Sequence, residues 1–293
     1  MKVLDQEVKV LIEALPYIKK FAGKTFVIKF GGSIMKNKTA KDAFIKDIVL
    51  MKLIGVNLVI VHGGGPKISE NLNALGIESN FINGLRVTDE ETMKVVEMVL
   101  AGYINKEIVF DINSNGVKAI GISGKDGGFI KAEKKYIYNN NEKIDIGFVG
   151  DVKEINVDFL EDLIDKNYIP VIAPTGFDEE GNSYNINADY VASSVSFAIK
   201  AEKLILLTDV EGLYKDISDK TTFISQLTKN EAKTFIDDGI INGGMRPKLE
   251  CCISAIENGT KSVHMIDGRK EHCLLLEIFT DKGIGTMIKE GED

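Results

Sequence analysis

The feature that most constrains this chain is a repeated unit: a short apolar run that stops at clustered glycines and gives way to a helical pattern. Thr25–Phe30 (TFVIKF) stops at Gly31-Gly32, and a helical pattern follows over 40–53. Asn57–Val61 (NLVIV) is followed by Gly63-Gly64-Gly65-Pro66, and a helix is expected over 67–75. Runs of β-branched residues with no polar alternation suit strands buried on both faces. Strand, glycine turn and helix in succession give a parallel sheet with helices on both sides. The expected fold class is therefore α/β, a three-layer α/β/α sandwich around a mostly parallel central sheet. Further strands are expected at 117–122, 168–173, 203–208 and 262–266, and further helices at 88–114, 188–200, 228–238 and 245–258. Thr88 with Glu91, and Thr228 with Glu231, have capping-box spacing. Residues 129–153 break the rhythm. Two strand-like runs there flank Asn139-Asn140-Asn141, which predicts a β-hairpin on the sheet edge.

Residues 2–21 read as an amphipathic helix placed ahead of the first core strand, with Pro16 set to bend or break it. A soft boundary near 174–178 divides the rest into an N-lobe, 22–175, and a C-lobe, 176–293, sharing one sheet. The 293 residues suffice for such a core. A net charge of −8 argues against a nucleic-acid partner. No run approaches the roughly 18 apolar residues of a membrane span. The first residues lack a signal-peptide core, so a cytoplasmic location and no membrane partner are expected. Cys251, Cys252 and Cys273 have no zinc spacing and read as reduced, packed thiols.

Glycines after strands admit close backbone approach, and the helix N-terminus that follows favours an anion. A single cluster would be a tight turn, but two in the same position point to anion binding. GxGxxG fails at Ile68, and Gly23-Lys24-Thr25 precedes a strand where a P-loop would follow one. Lys29 stands in an apolar strand two residues before Gly31, as either a snorkelling lysine or a phosphate contact. Lys248 sits in a first helical turn, where it opposes the macrodipole unless it serves an anion or solvent. Asn187 is a natural N-cap, while Asn185 and Asp189 beside it form a donor–carboxylate pair. Arg86 offers a fork for a carboxylate, or is a surface residue. His62 has no Ser or Cys placed to pair with it.

The stretches VIKFGGS (27–33), VIVHGGGP (59–66), INGLRVTD (82–89), YNINAD (184–189), LLTDVEGLY (206–214) and NGGMRPK (242–248) together resemble the amino acid kinase family over nearly the whole chain. HGGGP, GLRVT and YNINAD resemble its acetylglutamate branch in particular. The resemblance implies a phosphoryl transfer from MgATP, a substrate rather than a bound cofactor, to the side-chain carboxylate of N-acetyl-L-glutamate. It implies Lys29 and Lys248 as the lysines that neutralise the phosphoryl group, with Asp189 organising both. It implies Gly64, Gly65, Arg86 and Asn185 at the acetylglutamate, and Gly31, Gly32, Thr208, Asp209 and Tyr214 at ATP. The N-lobe would then hold the acceptor and the C-lobe the nucleotide. A carboxylate acceptor is already ionised at neutral pH, so no general base is needed, and no metal-ligating cage is seen. Arg246 departs from the family, which has an apolar residue there, and adds a charge beside Lys248.

The resemblance extends to arginine-inhibited members. These carry an extra kinked N-terminal helix and form homo-oligomeric hexamers, trimers of dimers. Their L-arginine contacts would be His264, Glu277 and Gly283; the alternative for residues 1–21 is a helix that merely caps the core. A sister kinase for another acid, and a non-catalytic arginine-binding regulator, are the competing readings.

Overall fold

The computed structural model describes residues 2–139, 142–241 and 243–291. Asn140, Asn141 and Asn242, noted above, lie outside them. In chain order the elements are α1 (Lys2–Phe21), β1 (Thr25–Phe30), α2 (Lys38–Leu53), β2 (Asn57–His62), α3 (Gly65–Ala74), β3 (Phe81–Ile82), β4 (Leu85–Arg86), α4 (Glu90–Glu97), a π-helical segment (Met98–Ile104) and α5 (Asn105–Ser114). There follow β5 (Ala119–Ile122), β6 (Ile130–Asn139), β7 (Glu142–Ile155), α6 (Val157–Asp165), β8 (Ile169–Ile172), β9 (Thr175–Phe177), β10 (Ser183–Asn185), α7 (Ala188–Ala198) and β11 (Lys203–Thr208). The chain ends through β12 (Leu213–Tyr214), β13 (Phe223–Ile224), β14 (Gln226–Thr228), α8 (Lys229–Asp237), α9 (Met245–Glu257), β15 (Ser262–Asp267), α10 (Cys273–Ile278) and β16 (Thr286–Lys289).

Eight strands form the central sheet in the order β14-β16-β15-β11-β1-β2-β8-β5. Only the β15–β16 pair among them is antiparallel. The period-two alternation divides each strand between two cores. Phe26, Ile28 and Phe30 of β1, with Leu58 and Ile60 of β2, pack under α2, α3 and α5. Val27, Val59, Val61, Leu204 and Leu206 point the other way, against α7 and α9. Lys29 therefore belongs to the α7–α9 face, and this parity decides which residues it can meet.

Two expectations are corrected. The hairpin β6–β7 does not extend the edge of the main sheet. It closes with β9 and β10 into a separate small barrel, in the order β10-β7-β6-β9. Pairing with β9 and β10 covers edges that would otherwise be left open. Thr88 does not cap the long helix. Its hydroxyl donates to the Arg86 carbonyl at 2.8 Å, and its backbone bonds to Ile146 and Phe148. Asp89 takes the cap instead, accepting from the Thr92 amide at 2.8 Å. The helix beyond it passes through a π segment. The Thr228–Glu231 box forms as read.

Helix α1 runs unbroken through Pro16. Its end is anchored by Phe21, buried against Phe26 and Phe279. Ile12 and Leu15 on the same helix stay 58% and 47% exposed. No helix among the described residues is long and apolar enough to cross a membrane. The three cysteines are buried and unpaired.

Candidate active site

Lys29 lies near the carboxyl end of β1, on the face covered by α7 and α9. Asp189 lies in the first turn of α7, capped by Asn187, whose side chain accepts from the Asp189 amide at 2.8 Å. Lys248 lies in the first turn of α9. Sheet parity and the packing of α7 on α9 bring the three together. Lys29 Nζ stands 2.9 Å from Asp189 Oδ1. Lys248 Nζ donates to Asp189 Oδ2 at 2.6 Å. Each lysine thus takes one oxygen of the Asp189 carboxylate.

The side chains of Lys29, Asp189 and Lys248 are only 13%, 9% and 26% exposed. Burial works to raise the Asp189 pKa, but the two lysine charges outweigh it and hold the carboxyl at about 2. Burial also opposes the charge on Lys248, yet Asp189 keeps its pKa above the ordinary value. Two ammoniums against one carboxylate leave an excess positive charge in a poorly solvated place. Such a cluster favours an anion that arrives between the lysines.

The glycine loops meet beside this cluster. The Gly63 amide donates to the Phe30 carbonyl at 2.7 Å. A Cβ on Gly31 would lie 3.1 Å from Gly63 N, so the backbones touch directly. Gly32 has φ of +68°, a conformation that suits glycine. A Cβ on Gly64 would lie 2.5 Å from Leu100 and 2.6 Å from Ile104 of the π segment. This loop leads straight into α3, whose N-terminus suits an anion.

A cavity of about 190 Å³ adjoins the second loop, and its lining includes Gly64, Gly65, Arg86 and Asn185. Arg86 is buried, stacked over the Phe81 ring at 4.6 Å. Its guanidinium donates to the Gly65 carbonyl at 3.0 Å, to Ser69 at 2.9 Å and to Ser79. All of these acceptors are neutral, and no ion pair to Arg86 occurs among the described residues. Burial alone lowers its pKa. A buried fork with only neutral partners at a cavity wall is built for an anionic ligand. Asn185 donates to Thr88 at 3.3 Å. A wider cavity of about 790 Å³ opens beside it, lined by Asp189, Lys248, Tyr190 and the hairpin.

Thr208 and Asp209 follow at the carboxyl end of β11, the strand that pairs with β1 in register Lys29–Leu206. Asp209 is exposed and close enough for its charge to act on Lys248. Thr208 is occupied within the chain, donating to the Val210 carbonyl at 2.8 Å. Tyr214 is set further along, its hydroxyl donating to Glu211 at 2.6 Å. Arg246 turns away from Lys248 to pair with Glu250 at 2.8 Å on the exposed side of α9.

His264, Glu277 and Gly283 form a second cluster on β15, α10 and the turn before β16. Lys203 Nζ donates to His264 Nε2 at 2.8 Å, so His264 Nδ1–H donates to Glu277 Oε1 at 2.6 Å. Glu277 Oε2 accepts from the Ile284 and Gly285 amides at 2.7 and 3.0 Å. A Cβ on Gly283, where φ is +60°, would lie 2.8 Å from that oxygen. Burial lowers the Lys203 pKa to about 8.

Ser69, Ser79, Phe81, Thr88 and Lys203 were not expected at either cluster. Ser69 had a local signal, four residues after Gly65 on α3 and hence on the same face. Ser79, Phe81 and Thr88 also meet Arg86 locally, Phe81 opposite it in the β3–β4 pair, while Lys203 reaches His264 from a distant part of the chain. No group of three or more His, Cys, Asp or Glu side chains among the described residues is placed to hold a metal ion.

The amino acid kinase family model matches residues 24–267. The acetylglutamate kinase of Thermoanaerobacter pseudethanolicus is 59% identical over 280 residues, which cover 96% of this chain and 92% of that protein. The acetylglutamate kinase of Caldanaerobacter subterraneus subsp. tengcongensis is 60% identical over 279 residues, covering 95% and 92%. Among solved structures, an N-acetylglutamate synthase from Neisseria gonorrhoeae, complexed with coenzyme A and N-acetyl-glutamate, superimposes with a TM-score of 0.85 at 26% identity. That match covers 98% of this chain but only 64% of the synthase chain. With the family pattern matched across both glycine loops, Asp189 and Lys248, this chain belongs to the amino acid kinase family.

Proposed function

We propose that the chain transfers the terminal phosphoryl group of MgATP to the side-chain carboxylate of N-acetyl-L-glutamate. The products are N-acetyl-L-glutamyl 5-phosphate and ADP, the second step of arginine biosynthesis, carried out in the cytoplasm. The observation that carries this reading is Asp189 held between Lys29 and Lys248, beside a cavity walled by Arg86. Phosphoryl transfer needs alignment and charge neutralisation more than covalent help. Lys29 and Lys248 would neutralise the group in transit. Gly31, Gly32 and Gly64 would donate to its oxygens. Arg86 would take the carboxylate that does not react, with Gly65 and Asn185 holding the rest of the acceptor. ATP would lie on the 176–293 lobe, near Thr208, Asp209 and Tyr214. The 22–175 lobe supplies most of the acceptor cavity, and residues 185–188 complete it.

The test is an acceptor panel of N-acetylglutamate, glutamate, aspartate and a nucleoside monophosphate, with MgATP and hydroxylamine. Hydroxamate is expected with N-acetylglutamate alone. Absence of ADP formation with that acceptor would sink the proposal. Arg86→Ala is expected to raise KM for N-acetylglutamate roughly 10- to 100-fold, the worth of a charge-assisted hydrogen bond. KM for ATP should move little, and steady-state kinetics with each substrate varied separates the two.

We further infer feedback inhibition by L-arginine at His264, Glu277 and Gly283. A buried carboxylate at Glu277, kept low in pKa by His264 and two amides against the pull of burial, suits a guanidinium. Exposed Ile12 and Leu15 on α1 support a hexamer joined through these helices. Removing residues 1–21 should abolish the hexamer and the arginine sensitivity together, read by light scattering and by inhibition curves. A truncated chain that remains hexameric contradicts the oligomer part.

A further inference from the structure

We infer that His62, set by Asn105, is a positioning residue for the proposed transfer: it fixes the Gly63–Gly64 peptide plane so that the Gly64 N–H faces the reacting groups. The inference rests on the kinase reading above, in which the loop after β2 serves the phosphoryl group.

The side-chain geometry leaves a single consistent set of protons. His62 and Asn105 are both fully buried. Asn105 Nδ2 lies 2.8 Å from the Val171 carbonyl, which can only accept, so this atom is the amide nitrogen. Asn105 Oδ1 accepts from Lys106 Nζ at 3.1 Å, which fits the same orientation. The second Nδ2 hydrogen then points to His62 Nε2 at 3.2 Å. Nε2 must accept, so the ring proton sits on Nδ1, which donates to the Gly63 carbonyl at 2.9 Å. Burial keeps the ring neutral, with its pKa pushed down to about 4, and the Lys106 charge adds to this.

The consequence follows from the planar peptide bond. The Gly63 carbonyl and the Gly64 N–H are opposite edges of one rigid plane. With the carbonyl held toward His62, the N–H is directed the other way, where it has no partner among the described residues. The Gly63 N–H is tied separately to Phe30. Glycine at this loop would otherwise rotate freely.

The surroundings are cut to fit the device. Asn105 opens α5 directly after the π segment, a local insertion that changes which residues face the sheet. A Cβ on Gly121 would lie 1.7 Å from Asn105 Oδ1, so β5 must carry glycine there for the amide to lie across it. Leu100 and Ile104 of the same segment close over Gly64.

Two measurements test this on the full-length protein. The chain has three histidines, so ring ¹⁵N spectra are resolvable, with His62 assigned from its loss in His62→Phe. A neutral Nδ1–H tautomer is expected in the wild type, and an Nε2–H tautomer would overturn the inference without any assay of activity. In kinetics, His62→Phe should lower kcat by about tenfold or more, with KM for MgATP within about twofold. His62→Gln, which can donate to Gly63 and accept from Asn105, should recover most of the loss. Wild-type kcat in a folded His62→Phe would overturn the proposal, as would equal loss in both variants. If the wild type phosphorylates no acceptor, the kinase reading fails instead, while the tautomer result stands.

Discussion

Lys29→Ala is expected to cut kcat roughly 100- to 1000-fold, the usual cost of removing one preorganised donor to developing charge. KM for N-acetylglutamate should change little, because the proposed reading assigns the acceptor to Arg86, Asn185 and the second glycine loop. Lys29 Nζ stands 2.9 Å from one oxygen of Asp189. The ammonium is carried on a strand at the centre of the sheet and braced by Asp189, so little reorganisation is needed if charge builds on a phosphoryl group there. An interaction made chiefly in the transition state appears in kcat rather than KM. Steady-state kinetics with hydroxamate detection checks this. A variant that moved only KM would reassign Lys29 to ground-state binding.

Asp189→Asn should damage both rate and stability. It removes the carboxylate and leaves two ammoniums facing each other where both are largely buried. Breaking a buried ion pair from one side costs on the order of 3 kcal/mol. The deficit should shrink when MgATP is added, because bound phosphate supplies the missing negative charge. The pH dependence has a definite sign. The folded carboxyl titrates at about 2 against an ordinary value of 3.8. A depressed pKa stabilises the folded state above the unfolded value, and that stability is lost as pH falls toward the folded one. Roughly 2 kcal/mol should thus disappear between about pH 4 and pH 2. The stability gap between wild type and Asp189→Asn, measured by urea unfolding, should narrow as the pH is lowered from 5 toward 3. A gap that stayed constant would mean that Asp189 is not held ionised by the lysines.

The local signals in the sequence were strong where the chemistry is backbone chemistry. Gly31-Gly32 and Gly63-Gly64-Gly65 after apolar runs foretold close backbone approach, and the structure shows Gly31 packed directly against Gly63. Asn187 was legible as an N-cap, since capping is decided within one turn. Thr88 was misread for the complementary reason. Its capping-box spacing is local, but its hydroxyl and backbone are claimed by Arg86, Ile146 and Phe148. The β6–β7 hairpin was legible as a hairpin but not in its placement, because its partners β9 and β10 follow later in the chain. Arg246 looked like a second charge for Lys248, yet an exposed i,i+4 partner, Glu250, draws it aside.

The strand–glycine–helix repeat, the buried parallel sheet and the residue types available at its carboxyl edge are all legible in the chain. These follow from periodicity, from glycine's freedom and from the cost of burying charge, all of which act over a few residues. Which charges meet depends on the packing of the folded layers, because the packing turns and places each charged residue. Sheet parity turned Lys29 to the α7–α9 face, and helix packing placed Asp189 within 2.9 Å of Lys29 and 2.6 Å of Lys248. It also carried Asn105 to His62. Contacts between residues dozens of positions apart depend on how layers pack, and no local pattern in the chain encodes that distance.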